Sequence, residues 1–214
     1  MCFTTFLKSR PAATLLAAAM ILTGFTYTTP AYSQEVETLF GNDIRHGGFG
    51  GPVIKFGQVN GSGAVWVGGR GGWIINFSNE HAISLGGGGY GLVTEHSVPV
   101  SSISGREELA AAGYGGFITE YTNRTYRLVH FTVTSLIGAG GITTRDHHFN
   151  EIDDEPSTFF VFEPGLHAEL NFTSFFRIAA GASYRLTSGI DKAGYGDSDF
   201  SGLNGVITLK FGAF

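Results

Sequence analysis

From Phe159 to Leu186 the chain reads FFVFEPGLHAELNFTSFFRIAAGASYRL, and its residues alternate in kind. Phe160, Phe162, Pro164, Leu166, Ala168, Leu170 and Phe172 share one parity, while Glu163, Gly165, His167, Glu169 and Asn171 share the other. A period of two places such sets on opposite faces only in a β-strand. In a soluble sandwich the oily face would meet a core and the polar face water. In a membrane barrel the oily face meets lipid and the polar face lines the lumen. The remainder of the chain separates these two outcomes.

The amino terminus reads as a targeting segment. Lys8 and Arg10 precede an apolar run of fourteen residues, Ala12 to Phe25, and the small-residue stretch AYS precedes Gln34. This is the layout of a secretory signal peptide cleaved after Ser33, and the run is short for a bilayer-spanning helix of roughly 20 residues. The predicted organisation is a signal peptide over 1–33, a periplasmic leader over 34–48 and a barrel domain over 49–214. Cys2, the one cysteine, would leave with the signal, so the mature chain is expected to have neither a disulfide nor a thiolate-bound metal. Removing Lys8 and Arg10 moves the formal charge of −5 to −7. No basic cluster remains, which argues against a nucleic-acid partner.

Downstream, eight strand-like segments follow one another near 51–59, 63–77, 81–94, 111–122, 126–144, 158–171, 175–188 and 200–214, with no convincing amphipathic helix. Many exceed the usual soluble strand of about 5–6 residues and suit tilted membrane strands of about 9–11. The connections SNE (Ser78–Glu80), NRT (Asn123–Thr125) and FTS (Phe172–Ser174) are tight. Long polar loops fall between them, at Glu95–Leu109, Arg145–Ser157 and Gly189–Asp199. Short turns at one end and long loops at the other are a habit of outer-membrane barrels. The NGS connection at Asn60–Ser62 is the exception, tight where a long loop is expected. The expected fold is all-β: an up-and-down antiparallel transmembrane β-barrel of eight strands.

The faces support that expectation. Val129, Phe131, Val133 and Ile137 oppose Leu128, His130, Thr132 and Thr134. Phe176, Ile178, Ala180, Ala182, Tyr184 and Leu186 oppose Arg177, Ser183 and Arg185. Leu203, Ile207, Leu209 and Phe211 oppose Asn204, Thr208 and Lys210. The predicted lumenal polar network is Lys55, Arg70, Glu120, His130, Glu163, His167, Glu169, Arg177, Arg185 and Lys210. Buried charges require partners, and both signs occur on neighbouring strands. Eight strands leave an interior that side chains fill, so a plug of salt bridges is expected rather than an open pore. The 33 glycines and 14% aromatics, with only 6 prolines, fit a barrel composition. Glycine runs such as Gly68–Gly72, Gly86–Gly91 and Gly138–Gly141 let coiled strands bend, with Trp73, Tyr90, Tyr114, Tyr121 and Tyr184 expected to cover exposed backbone or form interfacial girdles.

The segments GGFGGPVIKFGQVNG, VGGRGGWIIN, GGGGYGLV, FEPGLHAELNFTSFFRIAAGASYR and VITLKFGAF cover most of the mature chain. In them the sequence resembles the small outer-membrane β-barrel proteins of Gram-negative bacteria, most of all an uncharacterised group with glycine-rich strands. Phe214, with Phe211, resembles the aromatic carboxy-terminal signal read by the barrel-assembly machinery. Phe211 rather than Phe214 shares the outward parity of Leu209. The resemblance implies a fold and a location and supplies no activity, since such barrels serve diverse functions.

Motifs for chemistry are sparse. GGGGYG matches a dinucleotide fingerprint at Gly86, Gly88 and Gly91, but no helix follows it. A lipid-modifying hydrolase would need Ser, His and an acid together on the outer rim, whereas His130 and Ser135 differ in parity and His167 shares its face with Glu163 and Glu169. The loop RDHHFNEIDDE offers Asp146, His147, His148, Asp153 and Asp154 as candidate metal ligands without a recognised spacing. The expectation is therefore a non-enzymatic, cofactor-free, monomeric barrel with a structural or surface-interaction role in contact with outer-membrane lipid and lipopolysaccharide. The alternatives are a narrow pore for small solutes and a membrane-embedded lipid-modifying enzyme.

Overall fold

The computed structural model describes residues 44–78, 80–97, 109–145, 157–191 and 194–214. Eight strands run in chain order: β1 (Arg45–Val59), β2 (Ser62–Asn76), β3 (His81–Leu92), β4 (Leu109–Asn123), β5 (Val129–Arg145), β6 (Ser157–Asn171), β7 (Phe176–Ser188) and β8 (Gly202–Ala213). Each pairs antiparallel with its sequence neighbour, and β1 pairs with β8, so the sheet closes into an up-and-down barrel without free edges. Gly48 faces Ala213 and Phe56 faces Gly205 across the closing seam.

β1 starts at Arg45, ahead of the expected Gly51, because its glycine-rich beginning pairs with the apolar end of β2: His46 faces Ile75 and Gly48 faces Trp73. β5 starts at Val129 rather than Tyr126, and Leu128, assigned by parity to the polar face, lies in the preceding turn and is 68% exposed. A single helical turn, Asp197–Phe200, precedes β8; it closes the expected loop Gly189–Asp199 and takes in Phe200, where the last strand was expected to begin. The dinucleotide-like glycines Gly86, Gly88 and Gly91 lie within β3 and open no helix. The expected signal peptide, most of the expected leader and the acidic loop with Asp146, His147, His148, Asp153 and Asp154 lie outside the described residues.

The two barrel ends differ. One carries both ends of the barrel chain, Arg45 and Phe214, and the short connections 77–80, 124–128 and 172–175. The other carries the described residues 93–97, 189–191 and 194–201 together with the tight Asn60–Gly61 turn. Asn60 (φ 48°) and Gly61 (φ 74°) both adopt the left-handed conformation, so Val59 and Ser62 pair across a two-residue hairpin of the kind that Asn-Gly favours.

Burial follows parity on every strand. Lys55, Arg70, Glu120, His130, Glu163, His167, Glu169, Arg185 and Lys210 are all 7% exposed or less, while Phe56, Trp73, Phe117, Phe131, Phe160 and Leu203 of the outward face are 49–67% exposed. The outer face is oily and the interior is polar at its centre. At the turn end, rings form pairs around the rim: His46 stacks on Trp73, His81 on Tyr121, and Phe176 on Phe211.

Candidate functional site

Inward parity brings β1, β4, β6 and β7 together at one level of the lumen. Lys55 Nζ donates to Glu163 Oε1 and Oε2 at 2.8 and 2.9 Å. Glu163 also accepts from the Tyr114 hydroxyl at 2.7 Å and from Ser183 Oγ at 2.5 Å. The Lys55 ammonium stands 3.4 Å above the centre of the Tyr90 ring, a position in which a cation is attracted by the π face. One carboxylate on β6 thus holds three residues, from three other strands, in one layer.

Nearer the turn end, Lys210 Nζ donates to Glu120 Oε2 at 2.6 Å and to Glu169 Oε1. Arg70 Nε lies 3.3 Å from Glu120 Oε1. His130 Nε2 lies 3.4 Å from Glu169 Oε2, and its Nδ1 faces the Arg127 carbonyl at 3.1 Å. Arg177 reaches 4.0 Å from Glu169 Oε2 and lies over the Phe214 ring at 3.8 Å. The terminal phenylalanine therefore turns towards the barrel mouth, while Phe211 remains on the outer face. His167 sits between the two layers, 2% exposed.

The loop end is built differently. Trp66, Phe159, Tyr195 and Phe200 are buried there with Tyr114, with ring centres 5.2 Å apart for Trp66–Tyr114 and 5.3 Å for Tyr195–Phe200. Arg185 spans this plug: Nε donates to the Phe200 carbonyl at 2.6 Å, and the guanidinium lies 4.4 Å from the centre of the Trp66 ring.

All ten residues expected in the lumen face inward, Arg177 at the mouth and the rest deep inside. The aromatic plug was missed. Trp66 shares the parity of Arg70, and Phe159 that of Glu163, so strict alternation would have found both. Phe200 arrives on the helical turn, for which no periodicity speaks. Tyr90 and Tyr114, expected at the interfaces or covering backbone, lie inside as partners of Lys55 and Glu163. Trp73, Tyr121 and Tyr184 face outward. His130 points inward to the salt-bridge layer and Ser135 lies on the opposite parity, so these two do not form a hydrolytic pair.

The pairing and the interior define a class: a closed, eight-stranded, up-and-down β-barrel with its interior occupied by side chains. No protein-family model matches the chain, and no curated protein matches it. Among solved structures, Ail, the attachment invasion locus protein of Yersinia pestis, is similar at 14% identity and a TM-score of 0.46, covering 78% of this chain and 95% of that one. A second structure of Ail, in complex with the heparin analogue sucrose octasulfate, gives the same identity and score. Neisserial surface protein A is similar at 10% identity and a TM-score of 0.43, covering 79% of this chain and 97% of that one. At such values the fold assignment rests on the strand pairing itself.

Proposed function

We propose that this chain is an integral outer-membrane barrel with a plugged, charged lumen, serving a structural or surface-interaction role without catalysis. The observation that supports the reading most is the inversion of its two faces. Phe56, Trp73, Phe117, Phe131, Phe160, Leu203 and their neighbours form an apolar exterior, and Lys55, Glu163, Lys210 and Glu169 pair inside. Exposed apolar patches of this extent are rare on soluble monomers and mark contact with lipid or a partner. Barrel termini and short turns at one end favour placing that end in the periplasm, with the longer loops outside. Lipopolysaccharide and surface partners would then meet the loops, and the barrel-assembly machinery would read the carboxy-terminal strand.

The test is refolding into detergent, followed by gel mobility with and without boiling and by conductance in planar bilayers. A compact band that shifts on boiling, with no conductance, is expected. A protein soluble without detergent and unshifted by heat would overturn the membrane reading, and steady current steps would overturn the plugged lumen.

A further inference from the structure

Between the two salt-bridge layers lies a small cavity of about 20 Å³ bordered by Lys55, Arg70, Thr134, Glu163 and His167. Glycines stand close behind its lining. A Cβ at Gly165 would fall 2.7 Å from Thr134 Oγ1 and 3.0 Å from His167 Cε1, and one at Gly88 would fall 3.0 Å from Arg70 Cβ. A side chain at either place would press on the residues that line the cavity.

Two of the residues around this cavity, Arg70 and His167, carry nitrogens that no protein group satisfies. Arg70 Nη2 and both ring nitrogens of His167 have no hydrogen-bond partner, although the two residues are only 7% and 2% exposed. A buried donor left alone costs about 1–3 kcal/mol, and more when it is charged. Glu163 cannot serve Arg70, because Lys55, Tyr114 and Ser183 already take its oxygens. The lumen as a whole also has too few carboxylates. Among the described residues Lys55, Arg70, Arg177, Arg185 and Lys210 face Glu120, Glu163 and Glu169 alone. Arg185 has carbonyls and rings for partners, and Arg177 is 4.0 Å from a Glu169 that Lys210 already holds.

We propose that this cavity is a binding site for one small monovalent anion, a halide such as chloride, held by Arg70 and His167. A water molecule would answer the unpaired donors and leave the surplus positive charge in a low-dielectric interior; an anion answers both. The volume admits about one solvent-sized occupant and excludes phosphate and sulfate. In neutral His167 one ring nitrogen donates to the anion, and Arg70 supplies the charge-assisted bond.

Crystals of the refolded full chain grown in sodium bromide test the site directly through bromide anomalous scattering. An anomalous peak within hydrogen-bonding reach of Arg70 Nη2 and His167 is expected, and it should vanish in Arg70→Gln and in His167→Leu. The second variant retains the Arg70–Glu120 pair and carries the test if the first does not fold. In parallel, chloride should raise the folded-to-unfolded ratio of the wild type over gluconate at equal ionic strength, by about tenfold at about ten times its Kd, and not that of His167→Leu. Absence of the peak in the wild type, or an equal response to the two salts, would overturn the proposal. The site presupposes the filled lumen proposed above, whose failure would appear separately as conductance.

Discussion

Lys55 and Glu163 lie 108 residues apart in the chain and meet inside the barrel, with the ammonium within 2.9 Å of both carboxylate oxygens. Both side chains are buried. Removing one charge of such a pair leaves the other uncompensated, at a cost of about 3–5 kcal/mol, whereas removing both relieves that burden. Glu163→Gln is therefore expected to lower the urea midpoint of the refolded barrel strongly. Lys55→Met combined with Glu163→Met should recover about 1–2 kcal/mol of the loss and not all of it, since Tyr114 and Ser183 lose their acceptor. If the double variant is no more stable than Glu163→Gln, the hydroxyl bonds and not the charge pair set the stability of this layer.

One belt of the barrel wall from β2 to β5 is built of glycine. Gly88 faces Gly116 across one seam, and Gly116 faces Gly138 across the next. A Cβ on Gly138 would lie 2.0 Å from the Gly115 carbonyl oxygen, so a side chain there must force two strands apart. At Gly91 nothing lies within 4 Å. Gly138→Ala is expected to cost about 1–3 kcal/mol or more and to reduce the yield of the fast-running folded band several-fold. Gly91→Ala should refold as the parent does, helped by a less flexible unfolded chain. Equal yields from the two would remove close strand approach as the reason for these glycines.

Alternation made the barrel legible, because polar and apolar residues exchange sides at each step and only a strand separates them. It reached individual side chains on β6, β7 and β8, where Glu163, His167, Arg185 and Lys210 stand among clear apolar neighbours. It worked less well on β2 and β3, where glycine on both faces dilutes the contrast. There Tyr90 is expected to cover backbone or join a girdle, whereas its ring lies inside beneath the Lys55 ammonium. Aromatic residues are the general difficulty, since a ring suits lipid, an interface or a lumenal plug equally well. The Phe200 position depends on a helical turn closed by side-chain contacts such as Asp197 Oδ1 accepting from the Ile190 amide at 2.7 Å. That is a tertiary arrangement and leaves no periodic trace.

Acid is expected to loosen the loop end beside β4. His96 is buried outside the strands, Nε2 lies 2.9 Å from Thr94 Oγ1, and the His96 carbonyl accepts from the Ala110 amide at 2.8 Å. Loss of hydration pushes the imidazole below its ordinary value of 6.5. The unfolded segment then binds more protons than the folded one just below that value, so stability here is full above about 6.5 and falls as pH drops. Hydrogen-exchange protection of the Ala110 amide, corrected for intrinsic rates, should decline between about pH 7.5 and about pH 5.5. In His96→Gln it should not depend on pH; persistence of the decline in that variant would place the responsible group elsewhere.

Arg185 fastens the helical turn to the barrel. Its Nε bond to the Phe200 carbonyl measures 2.6 Å, Nη2 lies 3.5 Å from the Gln58 carbonyl, and the guanidinium covers Trp66. Replacement by Met keeps the apolar stem against the rings and removes both carbonyl bonds, each worth about 1.5–3 kcal/mol when the donor is charged. The strands pair without this residue's side chain, so their ladder should survive. Arg185→Met is expected to retain the heat-shifted band while protease cuts between Gly189 and Ser201 more than tenfold faster than in the parent. Lysine at the same position should rescue only in part, because one ammonium cannot span two carbonyls and a ring as the planar guanidinium does. Loss of the folded band in Arg185→Met would instead mean that the plug supports the whole barrel, and that the turn and the strands fold as one unit.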